Sequence, residues 1–223
     1  MQKLIDLTHS LSPEVPTWDG SPGFGIEINT DYADCTPPDI FRTQKINMGA
    51  GIGTHMDAPA HVVPGARTID ALGLDDLTGD CAVINVSAEA GEDYVISPAA
   101  VEKFEREHGQ IRPHTFVIFY TGWSRRWAER EKYNNNHKFP AVAAETAELL
   151  IKRGIIGLGT DTLSADTGAG GFPVHRAVLG ADKILVENIA NADHLPPTGA
   201  KVFILPPKIA GGTEAPVRMI AIV

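Results

Sequence analysis

The stretch Gly51-Ile52-Gly53-Thr54-His55-Met56-Asp57-Ala58-Pro59-Ala60-His61 places three potential metal-binding or proton-transferring side chains within seven residues. His55 and Asp57 are two positions apart, so their side chains project from the same face of an extended backbone. Pro59 prevents a regular helix here and bends the chain, which brings His61 towards them. Two imidazoles and a carboxylate are a usual ligand set for Zn²⁺ or a similar divalent ion. The spacing alone also fits a hydrogen-bonded pair that supports another group, or a solvated turn, so these interpretations stay open.

The composition indicates a globular protein that acts on a small molecule. Of the 223 residues, 43% are hydrophobic and 21% are charged, which is typical of a packed domain and excludes a disordered or fibrous chain. The formal net charge is -9. Nucleic acids and anionic membranes are therefore unsuitable partners, because their binding depends on clustered lysine and arginine.

No targeting or membrane-spanning signal is visible. The first ten residues, MQKLIDLTHS, lack the basic and apolar regions of a signal peptide, and no segment reaches the ~18 apolar residues of a membrane span. We expect a cytoplasmic protein. The two cysteines, Cys35 and Cys81, are too few for a disulfide framework or a cysteine-based metal site, and we interpret them as buried or idle thiols.

Apolar runs bounded by glycine, proline and other turn residues predict more strands than helices. The predicted strands are residues 3–8, 24–30, 40–48, 80–86, 115–121, 155–158, 183–189, 201–205 and 217–223. Helices are predicted over 99–107, after an N-cap at Ser97, and over 143–153, which Gly154 closes. The pattern favours one mixed α/β domain over residues 1–223, without a doubly wound parallel sheet.

Further candidate site residues lie downstream. His175 follows a glycine-rich turn, and Glu187 interrupts an apolar strand. A carboxylate buried without a partner costs several kcal/mol, so Glu187 should contact a metal ion, an arginine or a hydrogen-bond network. Asp161 also follows a strand, but a structural role in a turn is at least as plausible there. Trp18 lies in a loop and is either a hydrophobic anchor or a lid over a planar substrate.

These motifs resemble those of the cyclase family of metal-dependent hydrolases, the family of bacterial kynurenine formamidase and isatin hydrolase. The family signature is His-x-Gly-Thr-His-x-Asp-x-Pro-x-His, and this chain matches it at Gly53, Thr54, His55, Asp57, Pro59 and His61. Further matching segments are residues 6–9, 18, 121–123, 159–162, 172–176, 187–188 and 211–218. The resemblance thus extends along most of the chain.

The resemblance implies a fold, a ligand set and an oligomeric state. It implies a single mixed-sheet domain of the swivelling β/β/α type, usually a homodimer. It also implies that His55 and Asp57 bind Zn²⁺ or Mn²⁺, as one or two ions, and that Asp57 bridges to a second ion. The second ion would be held by His175 and Glu187. His61 would transfer protons, and Trp18 would pack on the substrate.

One position departs from the signature. The first histidine of the signature falls at Gly51, which can neither bind a metal ion nor donate a proton. A catalytic metal tolerates an open position filled by water, so the loss need not abolish binding. Because the neighbouring residues are small, we expect room for a side chain at position 51, and Gly51→His should raise metal affinity. The alternative is that a positive φ requires glycine there, in which case the same change should cost more than about 1 kcal/mol of stability and leave metal binding no better. His9 is a second candidate for the gap, although no geometric reason supports it.

Two functional hypotheses follow. The first is a metal-dependent hydrolase that cleaves a carbon–nitrogen bond of an amide, formamide or lactam, with His61 as general base and acid. The second is a non-catalytic binding or regulatory protein on the same fold, with a metal site impaired by Gly51. Loops 12–24 and 124–139 are where we expect substrate specificity to be decided.

Overall fold

A computed structural model describes residues 2–223. The strands are β1 (Leu4–Asp6), β2 (Phe24–Thr30), β3 (Thr43–Met48), β4 (His55–Asp57), β5 (Thr78–Asn85), β6 (Val95–Ile96), β7 (Thr115–Tyr120), β8 (Ala141–Val142), β9 (Gly157–Thr160), β10 (Ile184–Glu187), β11 (Ala200–Leu205), β12 (Glu214–Pro216) and β13 (Arg218–Ile222). The α-helices are α1 (Leu74–Leu77), α2 (Pro98–His108), α3 (Arg130–Asn134), α4 (Ala144–Lys152) and α5 (Pro173–Gly180).

A nine-stranded mixed sheet forms the centre of the fold. Its strand order is β1-β13-β11-β5-β7-β9-β10-β4-β12. The four strands β5, β7, β9 and β10 are parallel, whereas the strands on either side of them pair antiparallel. The predicted mixed α/β fold, without a doubly wound parallel sheet, is therefore confirmed.

Strand β7 shows why the parallel strands are almost continuously apolar. All six of its residues are buried. Phe116 and Ile118 pack into one hydrophobic cluster, and Val117 and Phe119 pack into another that includes residues of α2, α4 and α5. Because successive side chains point to opposite faces, a strand that is covered on both faces needs apolar residues at every position.

Every predicted strand and helix is present, with ends that differ by up to three residues. Two elements that shape the site were not predicted, namely α5 and β12. Helix α5 has eight residues, so it is too short for a clear helical periodicity, although Pro173 at its first position is a start signal. Strand β12 has three residues and includes Pro216, a residue that is tolerated only at the edge of a sheet.

Strand β4 lies between β10 and β12 and brings the site together. On one side Glu187 pairs with His55, and on the other side Glu214 pairs with Asp57. Directly opposed residues in an antiparallel pair project from the same face. Three neighbouring strands therefore direct polar side chains to one face, while Met56 points into the hydrophobic core.

Strands β2 and β3 form a separate two-stranded hairpin outside the nine-stranded sheet. Ile26 and Ile46 are paired across it and are 51% and 57% exposed.

Among residues 2–223, no helix combines the length and apolar character needed to span a bilayer.

Candidate metal centre

A pocket of about 250 Å³ opens over the polar face of β4. Neither lysine nor arginine lines it, within residues 2–223, although it contains three carboxylates. The lining residues are Pro16, Thr17, Trp18, Gly51, His55, Asp57, His61, Leu163, Ser164, Phe172, His175, Glu187, Asn188 and Glu214. All the predicted metal-binding, catalytic and substrate-binding residues therefore lie in one pocket.

His55 is buried and oriented by the backbone. Its Nδ1 lies 2.9 Å from the carbonyl oxygen of Gly53, which can only accept, so Nδ1 carries the proton. Gly53 adopts a positive φ of 61°, a conformation that favours glycine. The free Nε2 lies 3.5 Å from Glu187 Oε2 and 3.8 Å from Asp57 Oδ1. Metal-binding histidines are usually held in this way, through their other ring nitrogen.

His175 reaches the same place from the first turn of α5. Its Nδ1 lies 2.7 Å from Asp166 Oδ2, and the Asp166 carboxylate also accepts hydrogen bonds from the backbone N–H groups of Val174 and His175. Its Nε2 faces Asp57 Oδ2 at 3.4 Å and Glu187 Oε1 at 3.3 Å. A carboxylate–histidine pair of this kind is common behind metal ions. Asp166 was not identified from the sequence, and its only signal was an acidic residue shortly before a helix start.

The donor atoms fit a divalent cation. Two groups each keep their ligand atoms within 4.8 Å of one another, and they share Asp57: His55, Asp57 and Glu187, and Asp57, His61 and His175. Asp57 Oδ1 is buried and has no hydrogen-bond donor among residues 2–223. An unpartnered buried carboxylate oxygen is costly unless a cation completes it. Glu187 contacts both His55 and His175, so it can serve an ion beside either histidine.

The ionisation of the site shows an excess of negative charge. Burial disfavours a charged His175, but hydrogen bonds with Asp166, Asp57 and Glu187 outweigh it and raise the pKa of His175 to about 12. Burial likewise opposes charge on His55, and the charges of Asp57 and Glu187 raise its pKa. The carboxylates thus stabilise positive charge at the centre of the site. A metal ion would supply that charge and leave the imidazoles neutral, as ligation requires.

His61 lies at the rim of the pocket. It ends a 3₁₀ turn that begins at Pro59, immediately after β4. Its side chain is 32% exposed, and its Nδ1 lies 3.5 Å from Glu214 Oε2. The ring is therefore accessible both to the ligand cluster and to solvent, which is the placement that a proton-transferring group needs.

Two aromatic side chains form the mouth of the pocket. Trp18 is 36% exposed and stacks on His137 with ring centroids 3.8 Å apart. Phe172 lies 5.6 Å from Trp18, between centroids, and packs edge-on against His175. Since His137 covers one face of the indole, Trp18 is anchored to the protein while it still borders the pocket.

Two other sequence candidates lie outside the pocket lining. His9 stacks on Trp127 with centroids 3.9 Å apart, and burial lowers its pKa to about 4. It does not fill the gap at position 51. Asp161 accepts hydrogen bonds from the backbone N–H groups of Thr121 and Ser124, so it holds the turn after β7.

The space beside Gly51 is occupied, which contradicts the expectation of room for a side chain. A Cβ at position 51 would collide with Glu214 Oε1, and it would lie 3.2 Å from Glu214 Cδ and 3.4 Å from His55 Nε2. The φ angle of Gly51 lies outside the left-handed region, so backbone conformation is not what requires glycine. The prediction that small neighbours leave space was wrong because Glu214 comes from a distant strand.

Comparisons with known proteins agree with the geometry. A family model described as "Putative cyclase" matches residues 5–167. The isatin hydrolase of Roseibium aggregatum is 29% identical over an alignment 243 positions long, covering 99% of this chain and 92% of that protein. The kynurenine formamidase of Erythrobacter litoralis is 27% identical over 220 residues, covering 98% of this chain and 93% of that protein.

A solved structure extends the comparison to three dimensions. The crystal structure of an isatin hydrolase bound to the product analogue thioisatinate is 27% identical, covers 100% of this chain and 92% of that chain, and has a TM-score of 0.91. The similarity thus spans every segment that lines the pocket.

Proposed function

Because the chain belongs to the cyclase family, we propose that it is a metal-dependent hydrolase that cleaves a carbon–nitrogen bond of an amide, formamide or lactam. The observation that carries the proposal is the buried cluster around Asp57, whose Oδ1 has no hydrogen-bond donor among residues 2–223. The full-length similarity to an isatin hydrolase and a kynurenine formamidase supports the class of bond.

His55, Asp57, His175 and Glu187 are the proposed ligands of Zn²⁺ or Mn²⁺. Asp57 directs Oδ1 towards His55 and Oδ2 towards His175, so it can serve one ion or bridge two. The second ring nitrogens of the two histidines bond to Gly53 and Asp166, which fixes both imidazoles with Nε2 towards the centre. A bound divalent ion would lower the pKa of a water molecule towards neutrality and polarise the substrate carbonyl.

His61 is the proposed general base and acid. Histidine is the side chain whose unperturbed pKa, about 6.5, lets it accept a proton from water and return it to a leaving nitrogen near neutral pH. The ring lies at the rim of the pocket, with Nδ1 3.5 Å from Glu214 Oε2. Trp18 and Phe172 provide flat apolar surfaces for a planar small-molecule substrate.

The functional unit is proposed to be a homodimer of one-domain chains. The β2–β3 hairpin exposes an apolar face with Ile26, Ile28, Ile46 and Met48. Strands that alternate apolar and polar residues normally bury the apolar face. A second copy of the chain would cover this face, because contiguous apolar surface on a soluble protein commonly marks an interface.

Metal content and hydrolysis test the proposal together. We expect purified protein to hold stoichiometric metal and to hydrolyse formanilides, isatins or cyclic amides. Activity should disappear with a chelator and return with Zn²⁺ or Mn²⁺. A folded wild-type protein that binds neither ion and hydrolyses none of these substrates would contradict the proposal and favour the non-catalytic alternative.

The ligand assignment is tested by His55→Ala and Asp57→Ala. Each variant should lose its metal while the circular dichroism melt of the metal-free protein changes little, because His175 keeps its bond to Asp166. Elemental analysis per chain measures the outcome. Full metal occupancy in either variant would remove that residue from the ligand set.

A further inference from the structure

We infer that Glu214 is an additional metal ligand, whose carboxylate takes the coordination position left empty by glycine at position 51. The inference rests on the proposed metal site and names the residue that completes it. It concerns a strand, β12, that contains none of the ligands assigned above.

The sheet directs Glu214 to the site. Glu214 is paired with Asp57 across β12 and β4, so both side chains project from the same face of the sheet. Glu187 reaches that face from the strand on the other side of β4. Strand β4, which carries His55 and Asp57, therefore has one neighbouring carboxylate on each side.

The Glu214 carboxylate occupies the place of a side chain at residue 51. Its Oε1 coincides with the space that a Cβ on Gly51 would need, and that Cβ position is 3.4 Å from His55 Nε2. A side chain on residue 51 would start from this place, beside the His55 nitrogen that faces the proposed metal. In this proposal, the Glu214 carboxylate replaces the metal-binding side chain that glycine lacks at position 51.

The charges around Glu214 call for a cation. The carboxylate lines a pocket with Asp57 and Glu187, and no lysine or arginine of residues 2–223 pairs with it. Its one ion-pair contact in this part of the chain is His61 Nδ1, 3.5 Å from Oε2. Three neighbouring carboxylates repel one another unless positive charge lies between them. Oε1, the other oxygen, lies beside Gly51.

The exchange also changes the chemical character of the site. Replacing an imidazole by a carboxylate makes the donor set richer in oxygen and more negative. Such a set suits Mn²⁺ better than a site with more imidazole ligands. Mn²⁺ is therefore the probe for the test.

A double-mutant cycle tests the inference through metal affinity, without an activity assay. Mn²⁺ is titrated calorimetrically into metal-free wild type, Glu214→Ala, Gly51→His and the double variant Gly51→His/Glu214→Ala. Glu214→Ala should weaken binding by about 100-fold or more, since groups that only orient a ligand already contribute about 10- to 100-fold. Gly51→His alone should gain no affinity, because its side chain can enter only by displacing the end of the Glu214 side chain, so that one ligand replaces the other.

The double variant is the decisive measurement. With the carboxylate removed, the imidazole introduced by Gly51→His has the space to reach the site, and Mn²⁺ affinity should recover at least about tenfold relative to Glu214→Ala. Glu148→Ala is the matched control, because it removes one negative charge from the exposed surface of α4. It should bind Mn²⁺ like the wild type, and thermal melts of each variant report its folding.

The possible results distinguish a failure of the Glu214 assignment from a failure of the proposed metal-dependent hydrolase function. If wild type binds Mn²⁺ and Glu214→Ala binds it within about threefold of wild type, Glu214 is not a ligand while the metal site stands. A double variant that binds Mn²⁺ no better than Glu214→Ala would also refute the claim that Glu214 takes the coordination position of residue 51. Wild type that binds neither Mn²⁺ nor, in a parallel titration, Zn²⁺ counts against the proposed function itself. Should Glu214→Ala fail to fold, Glu214→Gln keeps the shape of the side chain, and unchanged Mn²⁺ affinity in it would overturn the inference.

Discussion

Single residues in this site act through the partners that orient them. The imidazoles of His55 and His175 face the centre because Gly53 and Asp166 hold their Nδ1 atoms. Within residues 2–223, no backbone group bonds to the His61 ring, which lies at the rim next to Glu214. This difference separates the proposed ligands from the proposed proton-transferring group.

His61→Ala should therefore retain metal but lose kcat by about 100-fold or more, the usual contribution of a positioned general base. Metal content and steady-state kinetics on the substrate found in the screen measure both effects. His194→Ala, which removes an exposed imidazole outside the pocket, should leave both unchanged. Loss of metal from His61→Ala would make His61 a ligand and assign proton transfer to another group.

Helices α2 and α4 are joined by a bidentate ion pair. Arg153, at the end of α4, donates from Nε to Glu105 Oε1 at 2.8 Å and from Nη2 to Oε2 at 2.9 Å. Glu105 also accepts a hydrogen bond from the backbone N–H of Ile111. The glutamate and arginine side chains are 13% and 25% exposed, so solvent screens this pair less than a surface pair.

Glu105→Gln should lower the free energy of unfolding at pH 7 by about 1 kcal/mol. The Arg153 hydrogen bonds lower the pKa of Glu105 below its ordinary 4.5. The stabilisation is therefore complete above about pH 4.5 and is lost as the pH falls through the lower folded-state pKa. Urea unfolding of both proteins from pH 7 to pH 3 measures it. The control Glu107→Gln, exposed on the same helix, should cost little, and a pH-independent loss in Glu105→Gln would refute this linkage.

At the scale of the whole molecule, the β2–β3 hairpin carries an apolar surface that the other described elements leave exposed. Ile26 and Ile46 face the same side of the β2–β3 hairpin, whereas Glu27 and Lys45 pair on the other side. The hairpin is outside the nine-stranded sheet. Covering its apolar face in a dimer would contribute about 25 cal/mol of favourable free energy for each Å² removed from water.

Ile26→Lys/Ile46→Lys should convert a dimer into a monomer, because two buried lysines would oppose association. Sedimentation equilibrium or light scattering after size-exclusion chromatography gives the mass of the species. The double variant Glu27→Ala/Lys45→Ala changes the opposite face and should remain dimeric. A wild type that is monomeric at micromolar concentration, or a lysine variant that stays dimeric, would contradict the proposed interface.

The sequence by itself determined the elements and the local geometry. The mixed α/β class and the buried strand β7 follow from apolar runs and turn residues, which are local signals. The projection of His55 and Asp57 from one face also follows from the sequence, because the period of an extended backbone is two. The signature that contains His61 likewise lies within one short segment.

Only the tertiary structure decided which distant residues complete the pocket. Asp166 and Glu214 are placed by a helix start and by an edge strand whose pairing with β4 has no local signal. The space at Gly51 looked open because its chain neighbours are small, yet it is filled by a side chain from a strand near the other end of the sequence. Strand register is a long-range property, chosen by the burial of whole faces. A sequence therefore predicts which side chains a strand presents, and the packed sheet decides what they meet.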